Sequence, residues 1–321
     1  MKVLVIQQRM GIGDMVIFLP YIHAISEKYD VPVSVLAKKN SKIDELCEDD
    51  KNIKEIIFLD RGKNKSGRHD GLIGFFNLVK DIKEKKFDKV FTFNGSLRFK
   101  LLAKMSGIQS VYQYPLFRKK DNIVSSAKIF VEHYIKETVS TESRLIFNEN
   151  QIKEAKKKYT FDKNFKHICF GFSASGPTKR WGTDKYIELA RELKKIKPCK
   201  FYLAGGKKDE ILFKKFLNST IANDCILFKD ISIKESIPII KNCDIYVGND
   251  TGWLHISAAL NLKCLALFMD SPVLAYGKYS KNISIIVPEG ETEITTTHGT
   301  LGEEKINFKE VLEKTIKLLN F

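Results

Sequence analysis

The chain has 321 residues, more than one typical domain and about right for two. Hydrophobic residues make up 43% and charged residues 29%, ordinary proportions for a globular protein, and no run of about 20 apolar residues occurs, which excludes a transmembrane helix. Lysine plus arginine (54) exceeds aspartate plus glutamate (39), and the resulting +15 favours anionic partners: nucleic acid, an acidic membrane surface or a phosphorylated substrate.

The opening "MKVLVIQQRM" is too short an apolar run for a signal peptide and reads as a first strand, Val3 to Gln8; a cytoplasmic location is expected. A glycine turn follows, then a helix from Met15 to Tyr29. Strands are expected at Val31–Ala37, Ile53–Asp60, Phe87–Asn94 and Ile108–Tyr114. Between them lie a short helix in "IDELCED", a basic loop "RGKNKSGRHDG", and helices over Leu72–Lys86 and Ser96–Gly107. The irregular, charged stretch from Pro115 to Lys166 reads as a linker with helical pieces. Alternation then restarts with the strand His167–Ser173 and the amphipathic helix "DKYIELARELKKI". It continues through "CKFYLAGG", "DEILFKKFLNS", "CILFKDI", "IKESIPIIKNC", "DIYVGND", "GWLHISAALNLK", "CLALFMD" and "ISIIVPE" to a terminal helix "NFKEVLEKTIKLLNF". Apolar strands between helices mean parallel sheets covered on both faces, here in two successive α/β domains. Such sheets bind ligands at the carboxyl ends of their strands, so two facing domains would form a ligand cleft.

Four turns at those strand ends carry candidate chemistry. In "MGIGDMVIFLP", Gly11 and Gly13 fit a dinucleotide-binding G-x-G-x-x-G/A turn, but Val16 stands where the third glycine belongs. The second strand ends in "VLAKKN", without the acid that would bind a ribose, and no Gly-Lys-Ser/Thr follows to make a P-loop. Asp14 either caps the helix or serves as a general base at the strand end. In "VGNDTGWLHISAAL", Asp250, Thr251 and Gly252 open a helix, an anion-binding position, with His255 one turn later. Capping by Asp250 or Thr251 and a packed His255 would explain the same residues.

In "GFSASGPTKRWG", Ser175 replaces the last glycine of a G-x-S-x-G elbow, and no hydrolase triad order surrounds it. Ser173, Lys179 and Arg180 could hold phosphate, or the segment could be a surface loop with Trp181 packed on the domain. In "YLAGGKKDE", Gly205 ends a strand, and Asp209 or Glu210 could bind ribose hydroxyls or complement a helix dipole. The six cysteines (Cys47, Cys169, Cys199, Cys225, Cys243 and Cys264) are scattered without C-x-x-C or zinc spacing, so reduced, buried thiols are expected.

"GIGDMVIFLP", "TKRW", "LAGGKKDE" and "GNDTGWLHISAAL", in this order over nearly the whole chain, resemble glycosyltransferase family nine, the heptosyltransferase-type enzymes. The resemblance implies a GT-B fold of two Rossmann-like parallel-sheet domains facing a central cleft. Residues 1–150 would bind the acceptor and 151–321 the nucleotide-sugar donor, with the last helix crossing back to the first domain. It implies inverting, metal-independent transfer of heptose from an ADP-activated donor to the inner core of lipopolysaccharide. Asp14 resembles the base that deprotonates the acceptor hydroxyl, and Lys179 the residue that neutralises the departing diphosphate. Glu210, or else Asp209, resembles the ribose-binding acid, and Asp250 the contact to the donor sugar. Thr251 and Gly252 resemble the diphosphate cradle, with His255 beside it; Ser173, Arg180 and Gly205 complete the expected donor site.

No cofactor is expected beyond the donor, and no D-x-D motif is placed to hold a metal. The basic excess fits an anionic glycolipid acceptor and peripheral contact with the inner membrane surface. Gly11 and Gly13 would leave room for that acceptor. Arg61 and Arg68, with Lys63 and Lys65, form one basic loop; Arg98, Lys100, Lys104, Arg118, Lys119 and Lys120 lie in a stretch, Gly95 to Lys120, without any acid. These residues would bind acceptor or form a solvated face. The chain departs from the family at Met269–Asp270–Ser271–Pro272, at Phe172 to Pro177 and at "TTTHGTLGEE", which bears on the sugar and the base. Another donor sugar, a protein or capsule acceptor, and a binding protein without turnover stay open. Nucleic-acid binding is not expected, because no recognition motif or aromatic–basic interleaving is present.

Overall fold

The computed structural model describes all residues except 63, 65, 117–121 and 321. The chain divides into two compact units, Met1–Ile146 and Phe147–Phe321.

The first unit runs β1 (Val3–Ile6), α1 (Ile12–Tyr29), β2 (Val33–Ala37), α2 (Ile43–Leu46), β3 (Ile53–Phe58), α3 (Gly71–Lys85), β4 (Lys89–Thr92), α4 (Leu97–Met105), β5 (Ser110–Gln113) and α5 (Ile123–Ile135). The sheet order is β3-β2-β1-β4-β5, and every pairing is parallel. Leu4 and Ile6 of β1 and Val90 of β4 are buried with Phe75, Leu78 and Ile82 of α3 and Phe99 and Leu102 of α4. An aromatic cluster of Phe18 from α1, Phe93 after β4 and Phe130 from α5 has ring centroids 5.0 and 5.5 Å apart.

The stretch read as a linker therefore contains a core helix. Asn122 caps α5 through Oδ1, which accepts from the Val124 and Ser125 N–H groups at 2.9 and 3.1 Å. Val124, Ala127, Phe130, Val131 and Ile135 are buried, and the Tyr21 hydroxyl donates to the Val124 carbonyl at 3.1 Å. Val124, Ala127, Val131 and Ile135, spaced i, i+3, i+7, i+11, form a helical core stripe, which the charges on either side obscured.

The second unit runs α6 (Glu149–Lys158), β6 (Lys166–Gly171), α7 (Thr183–Ile196), β7 (Cys199–Leu203), α8 (Glu210–Leu217), β8 (Cys225–Leu227), α9 (Ile233–Lys241), β9 (Ile245–Asn249), α10 (Gly252–Ala259), β10 (Lys263–Leu267), α11 (Val273–Tyr276), β11 (Ile283–Ile286) and α12 (Phe308–Leu319). The order β8-β7-β6-β9-β10-β11 is again all parallel. It is the doubly wound 3-2-1-4-5-6 order. The terminal helix α12 packs against α7, β9 and β10 of its own unit. Trp181, almost fully buried, meets Tyr186 edge-on and stacks on Phe308 of α12.

In each unit the first strand is central and the strand order reverses beside it, between β1 and β4 and between β6 and β9. The loops leaving these strands open the crevice where such sheets take ligands. Asp14 lies beyond β1, Asn249 to Gly252 at the end of β9, and Ser173 to Arg180 beyond β6.

Candidate functional site

Strand β1 stops at Ile6, so the polar Gln7 belongs to the loop, and α1 starts at Ile12, inside the glycine turn. Asp14 is already helical. Its Oδ1 accepts from Arg9 Nε at 2.7 Å, and its Oδ2 faces the Gly11 N–H at 3.3 Å. Gln7 laces the loop: Oε1 accepts from the Arg9 N–H at 2.6 Å and Nε2 donates to the Asp14 carbonyl at 3.4 Å. Capping does not hide the carboxylate, whose side chain is 17% exposed beside an Arg9 side chain at 40%. A Cβ on Gly11 would lie 3.0 Å from Asp14 Oδ2, so the space this glycine leaves is taken by the carboxylate itself; Gly13 is buried within α1.

The basic residues expected to meet an acceptor carry internal partners. Arg61 Nε donates to Asp70 Oδ1 at 3.0 Å, and Asp70 Oδ2 accepts from the Gly62 and Gly67 N–H groups. Arg68 pairs bidentately with Asp81. His69 Nδ1 accepts the Asp60 N–H at 3.0 Å, which leaves Nε2 as the donor to Asp81 Oδ2 at 3.0 Å. Arg98 donates to the His69 carbonyl at 2.8 Å and stacks over Phe75, and burial pushes its guanidinium below the ordinary arginine value. Arg118, Lys119, Lys120, Lys63 and Lys65 lie outside the described residues.

In the second unit, Gly171 and Gly248 stand opposite each other in the β6–β9 register, and a Cβ on Gly248 would lie 2.6 Å from the Gly171 Cα. The Tyr246 hydroxyl fills the space both leave; a Cβ on Gly171 would lie 1.8 Å from it. That hydroxyl donates to the Asn249 carbonyl at 3.0 Å. The fully buried Asn249 amide joins the two loops of the crevice: Nδ2 donates to the Phe172 carbonyl at 2.9 Å, and Oδ1 accepts from the Tyr186 hydroxyl at 2.9 Å and the Trp181 N–H at 3.3 Å.

Asp250 follows. Its Oδ2 accepts from the Ser271 hydroxyl at 2.6 Å, and its Oδ1 lies 3.4 Å from His255 Nε2. The side chains are 8% and 3% exposed. His255 Nδ1 in turn meets the Tyr279 hydroxyl at 2.9 Å. His255 thus sits behind Asp250 and orients it rather than opening to solvent. Burial works to raise the Asp250 carboxyl, but bonding and charge from His255, the Ser271 bond and the Lys179 charge outweigh it and hold it below the usual carboxylate range. Thr251 caps α10, its Oγ1 accepting from the Trp253 N–H at 3.3 Å.

Lys179 ends a single 3-10 turn after β6. Its neighbour Thr178 donates to Asp270 Oδ2 at 2.6 Å, while Asp270 Oδ1 accepts the Gly299 N–H at 2.6 Å. Desolvation opposes ionisation of Asp270, but these bonds, the Leu301 N–H and the Lys179 charge keep its carboxyl low. Asp270 therefore clamps the turn carrying Lys179 to the loop containing His298 and Gly299. The Lys179 ammonium itself has no hydrogen-bond or ion-pair partner among the described residues.

The β7 loop joins the same edge. Ser173 Oγ approaches the Ala204 carbonyl at 3.4 Å, and a Cβ on Gly205 would press on the Phe172 and Phe213 rings at 3.0 Å. Arg180 donates to the Ala174 carbonyl at 3.0 Å and lies 4.0 Å from Asp209 Oδ1; its Nε is buried without a hydrogen-bond partner among the described residues. Asp209 Oδ2 accepts the Gly206 N–H at 2.9 Å, whereas Glu210 is half exposed and reaches Lys229 at 3.3 Å. Ser173, Lys179, Arg180, Gly205, Asp250, Thr251 and Gly252 thus share one carboxyl edge of one sheet.

Arg9, Tyr246 and Asn249 were not singled out from sequence, and Asp270 stood only as a departure from the family pattern. The legible signal was an asparagine ending an apolar strand directly before Asp-Thr-Gly, since a buried amide there must be hydrogen-bonded. All six cysteines are free thiols, and burial pushes Cys199 and Cys225 up to about 12. Among the described residues no group of three or more His, Cys, Asp or Glu side chains could hold a metal, and no helix is long and apolar enough to cross a membrane.

Comparisons with known proteins agree with this architecture. The chain is 26% identical over 215 residues to lipopolysaccharide heptosyltransferase 2 of Escherichia coli, covering 58% of this chain and 61% of that one. It is 33% identical over 97 residues to lipooligosaccharide heptosyltransferase 2 of Haemophilus influenzae, covering 29% and 28%. These matches span less than two thirds of either curated relative. The solved structure of the E. coli ADP-heptose lps heptosyltransferase II superposes with a TM-score of 0.75 at 21% identity, over 100% of this chain and 99% of that one. A glycosyl transferase family 9 protein from Veillonella parvula gives 0.81 at 18%, over 99% and 97%. The fold is the GT-B arrangement of two parallel-sheet α/β domains. Residues 75–301 match Glycosyltransferase family 9 (heptosyltransferase), and the chain belongs to that family.

Proposed function

We propose that this protein is an inverting glycosyltransferase that moves a sugar, most specifically a heptose, from an ADP-activated donor to a hydroxyl of a lipopolysaccharide-core or related anionic glycan. Asp14 takes the proton of the acceptor hydroxyl as its oxygen attacks the anomeric carbon. The new carbon–oxygen bond forms on the face opposite the one that breaks, and the nucleoside diphosphate leaves with the electron pair. Lys179 and the N–H groups at the start of α10, behind Thr251 and Gly252, meet its charge, so this assignment uses no metal ion. Asp250, held ionised by Ser271 and His255, faces the donor sugar. Asp209 or Glu210 takes the ribose hydroxyls, Ser173, Arg180 and Gly205 complete the donor site, and the first unit receives the acceptor. Transfer takes place at the cytoplasmic side of the inner membrane, with peripheral contact.

One observation carries this reading. Lys179 is an ammonium with no hydrogen bond or close ion pair among the described residues, its charge helping to hold two carboxylates low, at the strand edge that also presents the start of α10. Its charge is available to a diphosphate, which an ion pair would have consumed. The likeness to the E. coli ADP-heptose enzyme supports the choice of donor.

The test is a thermal-shift screen of the full chain with ADP, UDP, GDP and CMP sugars, followed by turnover of the binding donor with lipopolysaccharide-core acceptor. A ligand at 100 times its dissociation constant adds about 2.7 kcal/mol of stability and raises the melting temperature. Binding of ADP compounds and turnover lost in Asp14→Ala are expected. No shift with any ADP compound sinks the donor assignment, and full activity in Asp14→Ala sinks the base.

A further inference from the structure

Helices α3 and α4 cover one face of the first sheet, yet each also presents large apolar side chains to solvent. On α4 these are Leu97, Leu101 and Met105, spaced i, i+4, i+8 along its outer face. On α3 they are Leu72, Ile73 and Phe76, the first two 72% and 80% exposed. The core needs none of them, because Phe75, Leu78, Phe99 and Leu102 supply the inward stripes. The two helices are parallel neighbours in register: Arg98 donates to the Gly71 carbonyl and Ser106 to the Val79 carbonyl, both across 27 positions. Their exposed faces are therefore parts of one surface.

Its charge has one sign on α4. Lys100 and Lys104 are exposed at i+3 and i+7 from Leu97, and no acid occurs from Gly95 to Lys120. On α3, Lys80 is exposed one turn after Phe76, while Asp70 and Asp81 are held by Arg61 and Arg68. Leucines interleaved with lysines on an outward face are the composition of a helix lying in a lipid interface, apolar tips in the acyl boundary and ammonium groups at the phosphates. A second copy meeting this face about a twofold axis would set lysine against lysine.

We propose that the amino-terminal parts of α3 and α4 form a docking face for an anionic lipid bilayer. Both helices start at the carboxyl ends of β3 and β4, the sheet edge that also holds Asp14. Docking there brings this edge to the headgroups, where a glycolipid hydroxyl would be presented. That consequence rests on the transferase reading; docking itself does not.

The test is co-sedimentation of the full chain with vesicles of phosphatidylcholine alone and of phosphatidylcholine mixed with phosphatidylglycerol, without glycolipid or donor. The wild-type chain is expected to bind the mixed vesicles, less so at high salt. Lys100→Glu/Lys104→Glu weakens binding by about fivefold or more per lysine. Ile73→Ser/Leu97→Ser/Leu101→Ser weakens it at least about tenfold with an unchanged melting temperature. The lysine variant decides the matter if the apolar variant fails to fold. No wild-type binding, or equal binding by a folded variant, overturns the proposal. A wild-type dimer in sedimentation velocity that the apolar variant abolishes overturns it too, because a second copy then covers the face. Transfer activity is not read in this assay, so a failed donor assignment leaves its outcome unaffected.

Discussion

Arg9 donates from Nε to Asp14 Oδ1 across 2.7 Å, joining the loop after β1 to the first turn of α1. The pair makes capping compatible with the role proposed for Asp14 as base. Oδ2 faces the Gly11 N–H while Arg9 holds the other oxygen, so a carboxylate that completes the helix start is also fixed in direction. A base with one orientation spends less of its reactivity finding the acceptor proton.

Arg9→Ala should separate orientation from folding. Its side chain is 40% exposed, so the pair contributes at most about 1 kcal/mol to stability and the melting temperature should move by only a few degrees. The rate constant kcat should fall about tenfold with the donor KM unchanged, while Asp14→Ala should lose about 100-fold or more. Steady-state kinetics on both variants check this. An Arg9→Ala enzyme with normal kcat removes the positioning role.

Among the described residues, Lys179 makes no side-chain hydrogen bond or close ion pair that its loss would break. Lys179→Ala should keep the wild-type melting temperature without ligand, lose the stabilisation by ADP compounds, and lose about 100-fold or more in kcat/KM. Differential scanning fluorimetry with and without ADP reads the first two. A melting temperature that collapses without ligand would mean that the lysine is structural.

Asp270 joins two segments, Thr178 beside Lys179 and Gly299 in the late loop. Asp270→Ala should cost about 1.5–3 kcal/mol, the range for bonds to a charged acceptor, lowering the melting temperature by several degrees. The amides of Gly299 and Leu301 should exchange faster, and ADP should bind more weakly because the Lys179 turn is no longer anchored. Hydrogen exchange by mass spectrometry tests this; unchanged protection around 299–301 would refute the clamp.

Acid should unfold the protein through identifiable carboxylates. Asp250 is held low by His255, Ser271 and Lys179, and Asp50 by a 2.6 Å contact to the buried His23 and by Asn52, against the burial that opposes both. A carboxyl lower in the folded than in the unfolded state binds fewer protons when folded. Its stabilisation is complete above the ordinary carboxylate value of about 4 and is lost as pH falls through the lowered value. Melting temperature against pH should therefore turn down below about 4. Asp50→Asn should lower it at neutral pH and flatten the acid limb; an unchanged acid limb in both Asp50→Asn and Asp250→Asn would exclude these two groups as its source.

Local chemistry accounts for what the amino-acid order determined by itself. Apolar strands between amphipathic helices specify two parallel sheets, because a period of about 2 or 3.6 decides which side chains a segment can bury. The turns after β1, β6, β7 and β9 were legible too, since glycines, Asp14 and Asp-Thr-Gly stand at strand ends where backbone groups lie open. Helical pieces were expected after Pro115, but that α5 is a core helix was hidden because its apolar stripe is short and flanked by charge; packing on α1 reveals it.

Tertiary structure alone decided how charge is distributed among those residues. Arg61 and Arg68, alike basic in sequence, meet Asp70 and Asp81 from nine and thirteen positions away, whereas Lys179 meets no partner among the described residues. Asp270 reaches Thr178 across 92 positions, and Asn249 reaches Phe172 across 77. Such pairings depend on which strands become neighbours in the sheet, and no local period encodes them. The sequence therefore marked the candidate turns at the strand ends, and the fold decided which of their charges are paired internally.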